Sequence, residues 1–122
     1  HCESSAASDV YKRQPHIIPM FRGILSTIYL DLKPGTTLNK VQNILKIFHK
    51  KNKFVKIKNI NTFLSTNDVM NTNYCFISVC KTKFKDKIII LSVIDNLIKG
   101  GAGQAVQNMN LKFGFKNNEG LL

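Results

Sequence analysis

Hydrophobic and polar positions alternate from residue 24 to 32, with Ile24, Ser26, Ile28, Leu30 and Leu32 on one face. Period-two patterning with β-branched residues predicts a strand. Lys33-Pro34-Gly35 ends it, because proline cannot continue a ladder and glycine accepts turn geometry. Thr36 or Thr37 is a suitable N-cap for a helix. Leu38, Val41, Ile44, Leu45 and Phe48 recur at helical spacing, predicting an amphipathic helix over 37–51, with Asn39, Lys40, Asn43, Lys46 and Lys50 on its solvated face. A short strand is expected over 54–57 and a polar, Asn-rich loop over 58–72. Residues 74–80 and 87–94 are apolar on both faces, as strands inside a sheet are. Their close spacing around a charged turn favours an antiparallel hairpin. A loop over 95–101 leads to a second helix over 102–113, with Ala102, Val106, Met109 and Phe113 on one stripe, and residues 114–122 form a tail. The order strand, helix, three strands, helix predicts an α+β domain: a mixed, mostly antiparallel sheet with helices on one face.

Composition narrows this picture. At 122 residues and 43% hydrophobic content, one domain or part of one is expected. The longest nearly uncharged apolar run, 88–94, is far below the roughly 20 residues that a bilayer span needs. Eighteen Lys+Arg against seven Asp+Glu give +11, and residues 33–58 hold eight lysines and no acid. Such a surface suits nucleic acid or another anion. The excess is almost all lysine, however, with only Arg13 and Arg22 as arginines, and it accompanies abundant Asn and Ile, whose codons are A/T-rich. Arginine is the better residue for bidentate recognition, so biased codon usage is the expected source. Cys2, Cys75 and Cys80 have no regular spacing and make no disulfide framework or metal motif. Residues 1–14 carry neither a signal nor a transit pattern, and SAASDVYKRQ resembles a translated sequencing-adapter tail. They are set apart from a domain expected over 15–122.

Two stretches suggest chemistry. In PHIIPMFRGI, residues 15–24, His16 and Arg22 flank an apolar segment held by two prolines. Arginine is a natural partner for a carboxylate or acyl phosphate, and His16 could hydrogen-bond or move a proton. In DNLIKGGAGQAVQNMN, residues 95–110, Asp95, Asn96, Lys99, Gln104, Gln107, Asn108 and Asn110 surround Gly100, Gly101 and Gly103. A Gly-rich turn entering a helix is expected to expose backbone N–H groups to an anion and to let a cofactor approach closely. Neither a Walker nor a dinucleotide fingerprint is present.

PHIIPMFRGI, NTNYCFISVC (71–80) and SVIDNLIKGGAGQAVQNMNLKFGF (92–115) resemble, in order and spacing, segments of the N-acetyl-gamma-glutamyl-phosphate reductases. The resemblance covers essentially residues 15–120. It implies the incomplete C-terminal α+β domain of a glyceraldehyde-3-phosphate dehydrogenase-like fold, ending in the helix that contacts an NADP-binding domain. It implies NADPH-dependent reduction of N-acetyl-L-glutamyl 5-phosphate to the semialdehyde, in arginine biosynthesis, by a cytoplasmic homo-oligomer, dimer or tetramer. No catalytic residue is expected here: the family's Pro-Gly-Cys nucleophile and its catalytic histidine precede these segments, and the chain alone is expected to be inactive. Arg22, and more weakly His16, would face the substrate. Asn96 would contact the nicotinamide end of NADP, with Lys99, Gly100, Gly103 and Gln104 shaping that wall. Gly101 stands where the family more often has Ala. Two other readings remain: the one-carbon-longer aminoadipate-type reductase of lysine synthesis, and a basic nucleic-acid-binding module, which lacks an aromatic stacking pattern.

Overall fold

A computed structural model describes residues 18–121; the tail expected over 1–14, and His16, lie outside the described residues. Four strands form one sheet: β1 (Ile24–Asp31), β2 (Val55–Ile57), β3 (Cys75–Lys81) and β4 (Lys87–Ile94), in the order β1-β4-β3-β2. β1 and β3 are antiparallel to β4, and β2 is parallel to β3. Helix α1 (Leu38–Phe48) connects β1 to β2, and α2 (Gly103–Phe113) comes after β4. This is the mixed, mostly antiparallel α+β arrangement that the patterning predicts.

Register assigns the two faces of the sheet. Phe76, Ser78 and Cys80 of β3 share a face with Leu91 and Val93 of β4. The segment between β2 and β3 covers it. Ser78 Oγ donates to the Asn59 carbonyl at 3.2 Å, and Leu64 and Val69 pack against Val93. The opposite face carries Ile77, Val79, Ile88, Ile90 and Ile94, and receives α1 and the turn into α2. Val69, Val79 and Val93 are fully buried, and each contributes about 1.5–3 kcal/mol relative to an exposed side chain.

Three expectations are corrected. α1 is capped by Thr37, whose hydroxyl accepts from Lys40 N, and it ends at Phe48 rather than 51. Its inward side is rotated: Leu38, Val41, Gln42 and Leu45 face the sheet, while Ile44 (56% exposed) and Phe48 (76%) do not. The cause is Gln42, which is buried and donates to the Lys58 carbonyl at 2.8 Å, drawing the helix round toward the chain leaving β2. In α2, Gly103 and Asn110 are the buried residues, whereas Ala102, Met109 and Phe113 are exposed. Asn110 Nδ2 turns inward to the Glu119 carbonyl, at 2.9 Å, and ties the tail to the helix. The polar stretch over 58–72 is not loop throughout. Thr66–Val69 forms a 3-10 turn with a reciprocal cap between Ser65 and Asp68.

All eight residues of β1 are exposed, on both faces, with Tyr29 at 74%. A long apolar edge strand left uncovered is a surface that pairs or packs with something else. No helix among the described residues is long and apolar enough to cross a membrane.

Candidate functional site

The two polar stretches meet because of one register. Ile24 opens β1 opposite Ile94, the last residue of β4, and Cys75 opens β3 opposite the same Ile94. Residues 22–23, 71–74 and 95–96 therefore converge at one end of the sheet.

Asp95 is their centre. It is 1% exposed, and a buried carboxylate persists only if its lone pairs are filled. Its Oδ1 accepts from Leu97 N at 2.9 Å and Ile98 N at 3.0 Å, and its Oδ2 accepts from Asn71 N at 2.8 Å. Arg22 Nε lies 3.0 Å from Oδ1 and 2.9 Å from Oδ2. Burial pushes the Asp95 pKa up, but the N–H groups of Asn71, Ile98 and Leu97, with Arg22, overcome it and hold the carboxyl below its ordinary range.

Asn96 closes the same end. Its Oδ1 accepts from Gly23 N at 2.7 Å, which identifies the oxygen and leaves Nδ2 as a donor. Among the described residues Nδ2 has no hydrogen-bond partner, and Asn96 is half-buried. Arg22 Nη1 donates to Asn71 Oδ1 at 2.9 Å.

The turn into α2 corrects one expectation. Ile98–Ala102 is a π-type turn that runs into the helix, with a kink at Gly101. Gly100 N, Ala102 N and Gly103 N already donate to the carbonyls of Asp95, Leu97 and Ile98. The start of α2 is thus not the row of free N–H groups expected for an anion cradle. It is a surface of exposed Gly100 and Gly101 beside Asn96. Gly103 is buried for a different reason: a Cβ there would overlap Asn73 Oδ1 and lie 2.8 Å from the Ile98 carbonyl. Gly103→Ala should cost about 1–3 kcal/mol, the usual range for overpacking, read as a lower unfolding midpoint in urea.

Lys99 turns away from solvent. Its Nζ donates to Gln107 Oε1 at 2.6 Å and stands 5.5 Å from the centroid of Phe54. Burial lowers its pKa and the nearby Cys75 opposes that. Gln104 Nε2 donates to Asn108 Oδ1 at 2.9 Å. Of the expected site residues, Arg22, Asn96 and Gly100 are therefore adjacent at the sheet end, while Lys99 and Gly103 brace the turn from within and Gln104 is the second residue of α2. Sequence reasoning missed Asp95 as the anchor and Asn71 as a partner. Lys46, Lys50, Lys51 and Lys56, at the α1–β2 junction, are exposed together, with no carboxylate within ion-pair distance among the described residues.

This fold and site define the class. The family model for the semialdehyde dehydrogenase dimerisation domain matches residues 4–96, and the chain belongs to that family. Within it, the chain is 44% identical over 108 residues to the N-acetyl-gamma-glutamyl-phosphate reductase of Staphylococcus saprophyticus. It is 48% identical over 107 residues to that of Clostridium botulinum and 45% identical over 107 to that of Thermoanaerobacter pseudethanolicus. Each match takes in 88% of this chain, and the chain spans about one third of the length of these curated relatives, 31–32%. Aspartate semialdehyde dehydrogenase II from Vibrio cholerae shares the fold, with a TM-score of 0.60 at 20% identity over 77% of this chain and 28% of that one. Neither the aminoadipate reading nor the nucleic-acid reading gains support from these relatives.

Proposed function

We propose that this chain is the association-domain part of an NADPH-dependent reductase that converts N-acetyl-L-glutamyl 5-phosphate to N-acetyl-L-glutamate 5-semialdehyde, NADP+ and phosphate. The observation that carries the reading is the convergence of Arg22, Asn96 and the exposed glycines on one sheet end. The names and identities of the relatives support the same reaction.

The residues fit the cofactor at its nicotinamide end. Asn96 offers an Nδ2 donor, without a partner among the described residues, for a carboxamide oxygen, and the exposed backbone of Gly100 and Gly101 lies beside it. With the N–H groups of Gly100, Ala102 and Gly103 already bonded, the turn suits an amide group better than a pyrophosphate. When bound, NADPH supplies the hydride. The chain's own part is to orient that ring and to hold an anionic group of the substrate at Arg22, whose side chain is 26% exposed. The family resemblance gives His16, which lies outside the described residues, a weaker substrate role. Lys99 and Gly103 keep the wall in shape from beneath, and Gln104, half-buried at the start of α2, shapes it beside them.

The exposed apolar residues of β1 support a homo-oligomer in which this sheet is covered. A biosynthetic role in arginine formation and a cytoplasmic location go with the reaction.

The test is turnover by the intact protein. NADPH oxidation should depend on N-acetyl-glutamyl phosphate and proceed more slowly with the aminoadipyl analogue. Equal or preferential use of the longer substrate would move the assignment to lysine synthesis, and no oxidation with either would reject it.

A further inference from the structure

The way Arg22 is held carries information beyond its presence. A purely structural Arg–carboxylate pair commonly uses two parallel N–H···O bonds, one from each of two guanidinium nitrogens. Here only Nε reaches Asp95, shared between both oxygens. The rest of the carboxylate's capacity goes to the backbone N–H groups of Asn71, Leu97 and Ile98. Asn71 then takes Nη1 with its side-chain oxygen. Two anchored nitrogens fix the plane of the fork. Among the described residues Nη2 has no partner.

We propose that Asn71 and Asp95 are positioning residues that lock the Arg22 guanidinium with Nη2 turned out for an anionic oxygen, carboxylate or phosphate, of the substrate. The inference rests on the substrate-side reading of Arg22. Asn71 suits the task twice over. Its backbone has φ +61°, a left-handed conformation that asparagine tolerates better than most residues. In that conformation its N–H meets Asp95 Oδ2 while its side chain meets Arg22. One exposed residue thus ties the buried carboxylate to the working end of the arginine. The gain is preorganisation: a long, flexible side chain held in one orientation before the ligand arrives.

Three variants of the intact reductase test this. Arg22→Ala should lower Tm, because it strands the buried Asp95 carboxylate. At a temperature where it is folded, it should raise KM for the acyl phosphate by about tenfold or more, the scale of a lost charge-assisted hydrogen bond, with KM for NADPH changed far less. Asn71→Gly keeps the favourable backbone and the N–H to Asp95, and removes only the oxygen that holds Nη1. It should raise KM for the acyl phosphate by about three- to tenfold, with kcat, KM for NADPH and Tm close to those of the parent. Asn71→Asp restores an acceptor for Nη1 but sets a second carboxylate beside the anionic substrate, so KM should recover only in part. A parent enzyme without acyl-phosphate reductase activity would reject the reaction itself. An active parent with a silent Arg22→Ala would reject the substrate role of Arg22, and the positioning role with it. An impaired Arg22→Ala beside a silent Asn71→Gly would overturn the positioning role alone, as would an Asn71→Gly effect matched by a fall in Tm.

Discussion

Asp95→Ala is expected to be the most destabilising single substitution at the site, at about 3–5 kcal/mol, the cost of breaking a buried ion pair from one side. The change leaves Arg22 without its carboxylate and strands the N–H groups of Asn71, Leu97 and Ile98 at a position only 1% exposed. A loss of that size is a large part of a typical domain's total stability. Asp95→Asn should cost less, because its one oxygen still accepts from some of these donors. The pH dependence has a definite sign. The folded pKa of Asp95 lies below the ordinary value of 3.8. Its contribution is therefore fully present above that value and is lost as pH falls from there through the folded pKa. Denaturant unfolding below pH 4 should show this loss in the parent and a weaker slope in Asp95→Asn. Equal slopes would mean that the carboxylate is not held in its ionised form.

Gly23→Ala is the second large effect. Gly23 has φ +113°, and a Cβ there would sit 2.6 Å from Thr66 Cβ. Backbone strain and overlap each cost about 1–3 kcal/mol. Relief by moving Gly23 would stretch its hydrogen bond to Asn96 Oδ1. The substitution should lower the unfolding midpoint and weaken NADPH binding together, although Gly23 itself is not expected to touch the cofactor. A thermal scan and a cofactor titration on the same variant separate these effects; intact NADPH affinity in a destabilised variant would detach Gly23 from the site.

Much of the fold was legible in the sequence because patterning and punctuation agreed. The run 87–94 coincides with β4, and Lys33-Pro34-Gly35 separates β1 from α1 as turn chemistry requires. What escaped was set at long range. The rotation of α1 depends on Gln42 finding the Lys58 carbonyl, which no helical period reveals. The 3-10 turn over Thr66–Val69 had a local signal, Ser65 with Asp68 three residues later, hidden in a polar stretch. For the site, Arg22 was readable as a residue type able to bind a carboxylate, and Asn96 only through the family resemblance. That Asp95 joins their segments was not, because Arg22 lies 73 positions away and only the Ile24–Ile94 register brings the two together. The start of α2 looked open for a related reason: the N–H groups of Gly100, Ala102 and Gly103 are consumed by carbonyls of a π-type turn that the glycines alone do not announce.

The central claim is that the end of the sheet at Asn96 lies against the nicotinamide of NADPH. Asn96→Asp in the intact protein tests it at the bond itself, since the new side chain keeps an oxygen for the Gly23 N–H, loses the Nδ2 donor and turns a negative charge toward the carboxamide oxygen. Direct titration should show NADPH binding weakened by about tenfold or more, a change of about 1.4 kcal/mol or above, with Tm nearly unchanged. NADPH affinity equal to the parent's would contradict the account.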